Sequence, residues 1–162
     1  MDHLNLPTTD IKKYPMHFIL KNEKDTTNLG KKIANIATNG DIFCLKGKLG
    51  IGKTSLARSM IKYLTNTNEV LSPTYPLLIN YEYKNSNIWH FDLYRLEKAE
   101  DIWNIGYEDA LNDGIIIIEW PEIIENLLPK SKIVISLTEE NNKRKAAIKA
   151  NKSFINKIKN KK

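Results

Sequence analysis

The chain has 162 residues, enough for one domain with a sizeable core. Its 41% apolar and 27% charged residues are ordinary for a globular protein, and no apolar run reaches the length of a membrane span. The formal net charge of +6 is uneven: residues 141–162 carry nine Lys or Arg and no acid, leaving residues 1–140 at −3.

The single cysteine, Cys44, excludes an internal disulfide and a cysteine-cluster metal site. The opening Met1-Asp2-His3 lacks a basic then apolar signal region, so a cytoplasmic location without membrane contact is expected. Charge divides the chain into a body over 1–140 and a basic C-terminal tail over 141–162, either part of the same domain or disordered. Such a tail either attracts RNA or is a solvated, partly helical end.

After a loose lead-in, Met16–Leu20 reads as a first strand. Asn22 to Ala37 has the spacing of a helix, with Leu29, Ile33 and Ile36 on one face and Asn22 as N-cap. Asn39-Gly40 stops it. Asp41 to Leu45 is a short apolar run, predicted to be a buried strand.

Gly47-Lys48-Leu49-Gly50-Ile51-Gly52-Lys53-Thr54 follows and fits G-x-x-x-x-G-K-[ST], a phosphate-cradling loop. Its glycines let backbone amides approach phosphate oxygens, backed by the positive end of the next helix. Lys53 is placed to add charge toward the β- and γ-phosphates, and Thr54 to offer a hydroxyl to Mg²⁺. The candidate nucleotide contacts here are Gly47, Gly50, Ile51, Gly52, Lys53, Thr54 and Ser55. The run from Ser55 to Leu64 has helical spacing. Strand, glycine-rich loop and helix stand in the order that phosphate binding needs.

Glu69–Leu71 reads as extended, and Pro73 keeps Ser72 out of helical geometry. In Ser72-Pro73-Thr74-Tyr75, Thr74 sits where a switch segment presents a hydroxyl, although an ordinary Ser-Pro turn fits equally. Leu77–Tyr83 and Asn87–Leu93 are predicted strands, joined by Lys84-Asn85-Ser86. Glu97–Ile105 and Tyr107–Asn112 are helical, and Gly106 separates them. Gly114 to Ile118 is β-branched without alternation, the pattern of a central parallel strand. A short helix over Glu122–Leu128, a strand over Lys132–Leu137 and a last strand at Lys145–Ala150 complete the reading. The sum is a three-layer α/β domain with a mostly parallel central sheet and an antiparallel portion.

Two carboxylates stand at strand ends, where α/β sites lie. Asp92 belongs to Trp89-His90-Phe91-Asp92-Leu93-Tyr94-Arg95, where alternation puts His90, Asp92 and Tyr94 on one face. Glu119 closes the isoleucine strand before Trp120-Pro121. Thr54, Asp92 and Glu119 are the candidate metal-side residues, and Lys53, Asp92 and Glu119 the candidate catalytic ones. His90 reads as packed or hydrogen-bonded within the sheet. Trp120 is open between a packing anchor and a lid over a nucleotide.

Together these segments resemble the TsaE family, small bacterial P-loop ATPases of tRNA N6-threonylcarbamoyladenosine synthesis. The resemblance rests on the helix from Thr26 to Ala34 with its Thr-x-x-Leu-Gly pattern, the Gly47–Thr54 loop and Ser72-Pro73-Thr74-Tyr75. It also rests on His90-Phe91-Asp92-Leu93-Tyr94-Arg95-Leu96, Ile105-Gly106-Tyr107-Glu108-Asp109 and Ile118-Glu119-Trp120-Pro121-Glu122, and covers about residues 16–137.

The resemblance implies ATP and Mg²⁺ held by Lys53 and Thr54, with Thr26 a further nucleotide contact. It places Thr74 in a switch segment, Asp92 on the metal side, and Trp120 beside the site. It also makes Glu119 necessary for hydrolysis, by positioning water or completing the metal shell. The implied partner is the TsaB–TsaD complex, with tRNA engaged indirectly. Lys48 stands where the family usually has Asp, and Ile51 where it has a small residue. The basic tail matches no family pattern in this reading. Two other functions fit the residues less fully: a small-molecule P-loop kinase, and a non-enzymatic RNA-binding module that uses the tail.

Overall fold

The computed structural model describes residues 15–161, so the loose lead-in and the first residues lie outside the described part. β1 (Met16–Leu20) leads into α1 (Glu23–Ile36). Asn22 caps α1 by accepting a hydrogen bond from the Asp25 amide at 2.9 Å, while Asp25 accepts one from the Lys21 amide at 2.8 Å. The first bond satisfies an amide that a helix start otherwise leaves free, and the second ties the preceding residue to the helix. β2 (Ile42–Lys46) and α2 (Lys53–Thr65) flank the glycine-rich loop, as the spacing predicted.

β3 (Leu78–Tyr83), β4 (Ser86–Asp92), α3 (Tyr107–Leu111) and β5 (Ile115–Glu119) follow. The β3–β4 hairpin turns on two residues, since Tyr83 pairs with Ser86. Glu97–Ile105 and Glu122–Leu128, predicted as helices, are 3₁₀ segments over Ala99–Ile105 and Pro121–Leu127. The second begins at Pro121 behind Trp120, whose left-handed φ of 58° blocks a longer helical start. Glu69–Leu71, read as extended, joins no strand ladder, although Val70 is buried.

β6 (Ile133–Glu140), β7 (Lys143–Lys149) and α4 (Lys152–Asn160) end the described chain. Residues read as a solvated end therefore form a strand and a helix. The β6–β7 hairpin turns at Asn141-Asn142, with φ of 52° and 61°. Asparagine tolerates that conformation well, and the pair is the local signal for the turn. Asn151 caps α4 through the Phe154 amide at 2.8 Å.

The sheet runs β1-β7-β6-β2-β5-β4-β3. Its middle four strands pair in parallel, and β1, β7 and β3 add antiparallel edges. The two faces take alternate residues of each central strand. Phe43, Leu45, Ile115 and Ile117 join the core under α1, α2 and α4. Ile42, Cys44, Ile116 and Ile118 join the core under α3 and the 3₁₀ segments. Burying each such isoleucine stabilises the fold by about 1.5–3 kcal/mol. The expected three-layer α/β architecture is present.

Candidate functional site

The parallel strands β2, β5 and β4 all end on the same side of the sheet, and the loop after β2 rises there. Asp92 and Glu119 are register partners on neighbouring strands, and Glu119 also lies across from Leu45 on β2. The two acids are therefore brought together by strand pairing. A cleft of about 230 Å³ opens above them, lined by Gly50, Gly52, Lys53, Thr54, Ser55, Thr74, Asp92, Glu119 and Trp120, with Leu49 and Tyr94.

Gly47, Gly50 and Gly52 carry φ of 149°, 78° and 117°. Gly52 is the left-handed residue that turns the loop into α2, a conformation a side chain would strain. The loop thus presents the start of a 13-residue helix to the cleft, the arrangement that favours anions.

Lys53 is 4% exposed. Its Nζ donates to the carbonyls of Gly47 at 2.5 Å and Lys48 at 2.9 Å, and lies 3.9 Å from the Trp120 ring centroid. Burial pushes the ammonium below the ordinary lysine value, opposed by the charges of Glu119, Glu122 and Asp92. Trp120 packs on the core, as the anchor reading expected, and it also lines the cleft, with Tyr94 at 5.0 Å between ring centroids.

Glu119 is 2% exposed and uses both oxygens. Thr54 Oγ1 donates to Oε1 at 2.6 Å, and His90 Nε2 donates to Oε2 at 2.7 Å. Among the described residues His90 Nδ1 is buried without a partner, so the Nε2–H tautomer leaves an unpaired acceptor there rather than a costlier unpaired donor. The expected hydrogen bond of His90 within the sheet is thus one to the site's own carboxylate. Replacing His90 by Phe leaves Oε2 buried without a donor. The expected loss is about 1–3 kcal/mol of folding stability in urea titrations, with partial recovery in His90→Gln. Equal stability of the Phe variant would show that the pair contributes nothing.

Asp92 is held by a separate set of bonds. Oδ2 accepts from Thr74 Oγ1 at 2.9 Å and Oδ1 from the Tyr94 amide at 3.1 Å. The turn carrying Thr74 closes through the Leu77 amide on the Pro73 carbonyl, at 2.7 Å. The Asp92 amide bonds the Leu77 carbonyl at 3.0 Å and so seats that turn over β4. Leu77 takes φ 68°, so β3 starts one residue later than its apolar pattern suggested.

Three candidate contacts lie outside the cleft lining. Thr26 is buried on α1, and Ile51 is buried in the core, where its Cγ2 would sit 2.7 Å from any Cβ at Gly47. Gly47 shapes the loop without lining the cleft. Lys48 does not line it either; it forms an exposed ion pair with Glu139 at 3.0 Å. The residue that sequence reading passed over is Arg144 on β7. Its guanidinium bonds Glu23 at 3.2 Å and would lie 3.2 Å from a Cβ at Gly52, against the outer side of the loop. The pairing of β7 with β6 and β1 brings it there, and no local motif announces that.

Hard oxygen donors beside a phosphate-type loop suit Mg²⁺ sharing its shell with phosphate and water. Among the described residues no group of three or more His, Cys, Asp or Glu forms a metal cluster. A threonine hydroxyl and two carboxylates need the nucleotide to complete such a site.

A parallel α/β sheet, a left-handed glycine loop opening a helix, and a buried lysine over paired strand-end acids define the P-loop class of nucleotide-binding protein. A family profile described as threonylcarbamoyl adenosine biosynthesis protein TsaE matches residues 20–147, and the chain belongs to that family. The match runs past residue 140 into β7, so the family pattern includes part of the segment read as a tail.

The chain is similar to the tRNA threonylcarbamoyladenosine biosynthesis protein TsaE of Rickettsia felis. The two are 43% identical over 137 residues, covering 83% of this chain and 80% of that one. The protein of the same description from Haemophilus influenzae is 36% identical over 124 residues, covering 73% and 78%. The crystal structure of Bacillus subtilis YdiB shares the fold, with a TM-score of 0.74 and 21% identity over 90% of this chain and 95% of that one. Among the described residues no helix is long and apolar enough to cross a membrane.

Proposed function

We propose that this chain is a cytoplasmic, Mg²⁺-dependent ATP hydrolase that serves tRNA N6-threonylcarbamoyladenosine formation together with a TsaB–TsaD complex. The observation that carries the hydrolase reading is the 2.6 Å bond from Thr54 to Glu119, with Asp92 in register on the next strand. The tRNA role rests on family membership. The choice of ATP and of TsaB–TsaD rests on the motif resemblance.

Loop amides and Lys53 hold the phosphates, with Lys53 exchanging its loop carbonyls for phosphate oxygens. Thr54 and Asp92 would hold Mg²⁺, which would supply positive charge to the phosphate oxygens. Glu119, fixed by His90, orients the water whose oxygen attacks the γ-phosphorus as the bond to the β-phosphate oxygen breaks. Trp120 and Tyr94 wall the cleft and exclude further water. Arg144 adds charge at the loop's outer side.

Phosphate release is expected to require Mg²⁺, to stop on adding EDTA, and to rise with TsaB–TsaD and tRNA present. Lys53→Ala is expected to lower it by roughly 100-fold. Unchanged release in Lys53→Ala, or none under any of these combinations, would overturn the proposal. Among the described residues no arginine lines the cleft, which gives the kinase alternative no support there.

A further inference from the structure

A second cavity, of about 750 Å³, lies between the C-terminal end of α1 and the outer side of α4. Its lining includes Lys152, Lys157 and Lys161 together with Asn35, Asn156 and Asn160, and, among the described residues, no carboxylate. The helical repeat explains the grouping. Lys152, Asn156 and Asn160 form one row at four-residue spacing, and Lys157 and Lys161 belong to the adjacent row. The inward side of α4 is occupied by Phe154, Ile155 and Ile158 in the core. Asp41, at the entry to β2, is close enough for Lys157 to oppose the upward shift that burial gives its carboxyl.

We propose that this groove between α1 and α4 is a direct docking site for RNA, taking the sugar–phosphate backbone on Lys152, Lys157 and Lys161. Lysines neutralise phosphates, and amide side chains both donate to phosphate oxygens and accept from ribose hydroxyls. A protein partner fits less well, because protein interfaces are depleted of lysine and anchored by aromatic residues, and among the described residues no aromatic one lines the groove. A membrane surface fits less well too: it needs a free apolar helix face, and that of α4 is buried in the core.

The groove is well separated from the nucleotide cleft. α1 begins at Glu23, which bonds Arg144 beside the loop, and Asn35 at its other end lines the groove. The helix carries the chain about 18 Å between Glu23 and Asn35. RNA contact and hydrolysis are therefore independently mutable. The inference makes the RNA contact direct, and its choice of RNA rests on the proposed role in tRNA modification.

The test is fluorescence anisotropy of a labelled, unmodified tRNA transcript with the full chain. Three phosphate contacts predict a log–log salt slope of about −2.7, or roughly 40-fold weaker binding at 200 mM than at 50 mM salt. The triple variant Lys152→Gln, Lys157→Gln, Lys161→Gln is expected to bind at least about tenfold more weakly and to lose most of that slope. Lys84→Gln with Lys130→Gln, elsewhere on the surface, is expected to bind as the parent does. Point substitutions are needed because removing residues 141–162 deletes β7 and α4.

Equal affinity of parent and triple variant would overturn the proposal, as would polyglutamate or anionic vesicles displacing the transcript at matched charge. Retained hydrolysis without RNA binding would sink only this inference. RNA binding without hydrolysis would sink only the proposed enzymatic role.

Discussion

Replacing Glu119 by glutamine is expected to cut nucleotide hydrolysis by about 100-fold or more while nucleotide binding persists. The carboxylate accepts on both sides, from Thr54 and from His90. An amide has one accepting oxygen and one donating nitrogen. If the oxygen stays with Thr54, the nitrogen faces His90 Nε2, which must then accept, leaving Nδ1–H as a buried donor without a partner. The substitution also removes a negative charge that faces Lys53. Single-turnover phosphate release, paired with titration of a non-hydrolysable ATP analogue, separates the two effects. Full turnover in a variant with parental melting behaviour would remove Glu119 from the chemistry.

The largest stability loss is expected at Gly114, just before β5. Its φ is +83°, and a Cβ there would lie 1.8 Å from the Asn87 carbonyl oxygen. The neighbourhood has little room to relax. Asp113 bonds Ser86 Oγ at 2.6 Å and Asn87 Nδ2 at 2.7 Å, and the Gly114 carbonyl accepts from the Gly40 amide at 2.7 Å. Gly114→Ala therefore combines backbone strain with a steric clash against main chain. The expected cost is about 3–5 kcal/mol, or a melting temperature lower by roughly 10 °C. A urea midpoint close to the parent's would mean that β4 and β5 do not meet as described.

The parts of the site legible in the sequence are those with local physical signatures. The glycine spacing before Lys53 marks a loop because few residues tolerate its φ values, and Asn22 marks a helix start because its side chain must cap free amides. Asp92 and Glu119 were readable as strand-end acids. Their adjacency follows from β4 pairing with β5, which connects residues far apart in the chain and which periodicity alone does not specify. The bond from His90 to Glu119 belongs to that same pairing. Arg144 is further out of reach, since it arrives at the loop through the registers of β7 with β6 and β1. The charge count misled over residues 141–162: lysines dominate their composition, yet Ala146, Ile148, Phe154, Ile155 and Ile158 are buried. Net charge describes a surface and does not reveal which few side chains fill the interior.

The edge strand β1 pairs with β7, made more than a hundred residues later, and among the described residues has no other neighbour in the sheet. During synthesis on the ribosome its apolar residues must wait, without a mate, until β7 has emerged. A premature stop codon after β6 would strand that first segment. The nascent chain would then carry a complete nucleotide motif on an open, association-prone margin, a natural target for chaperones and proteases.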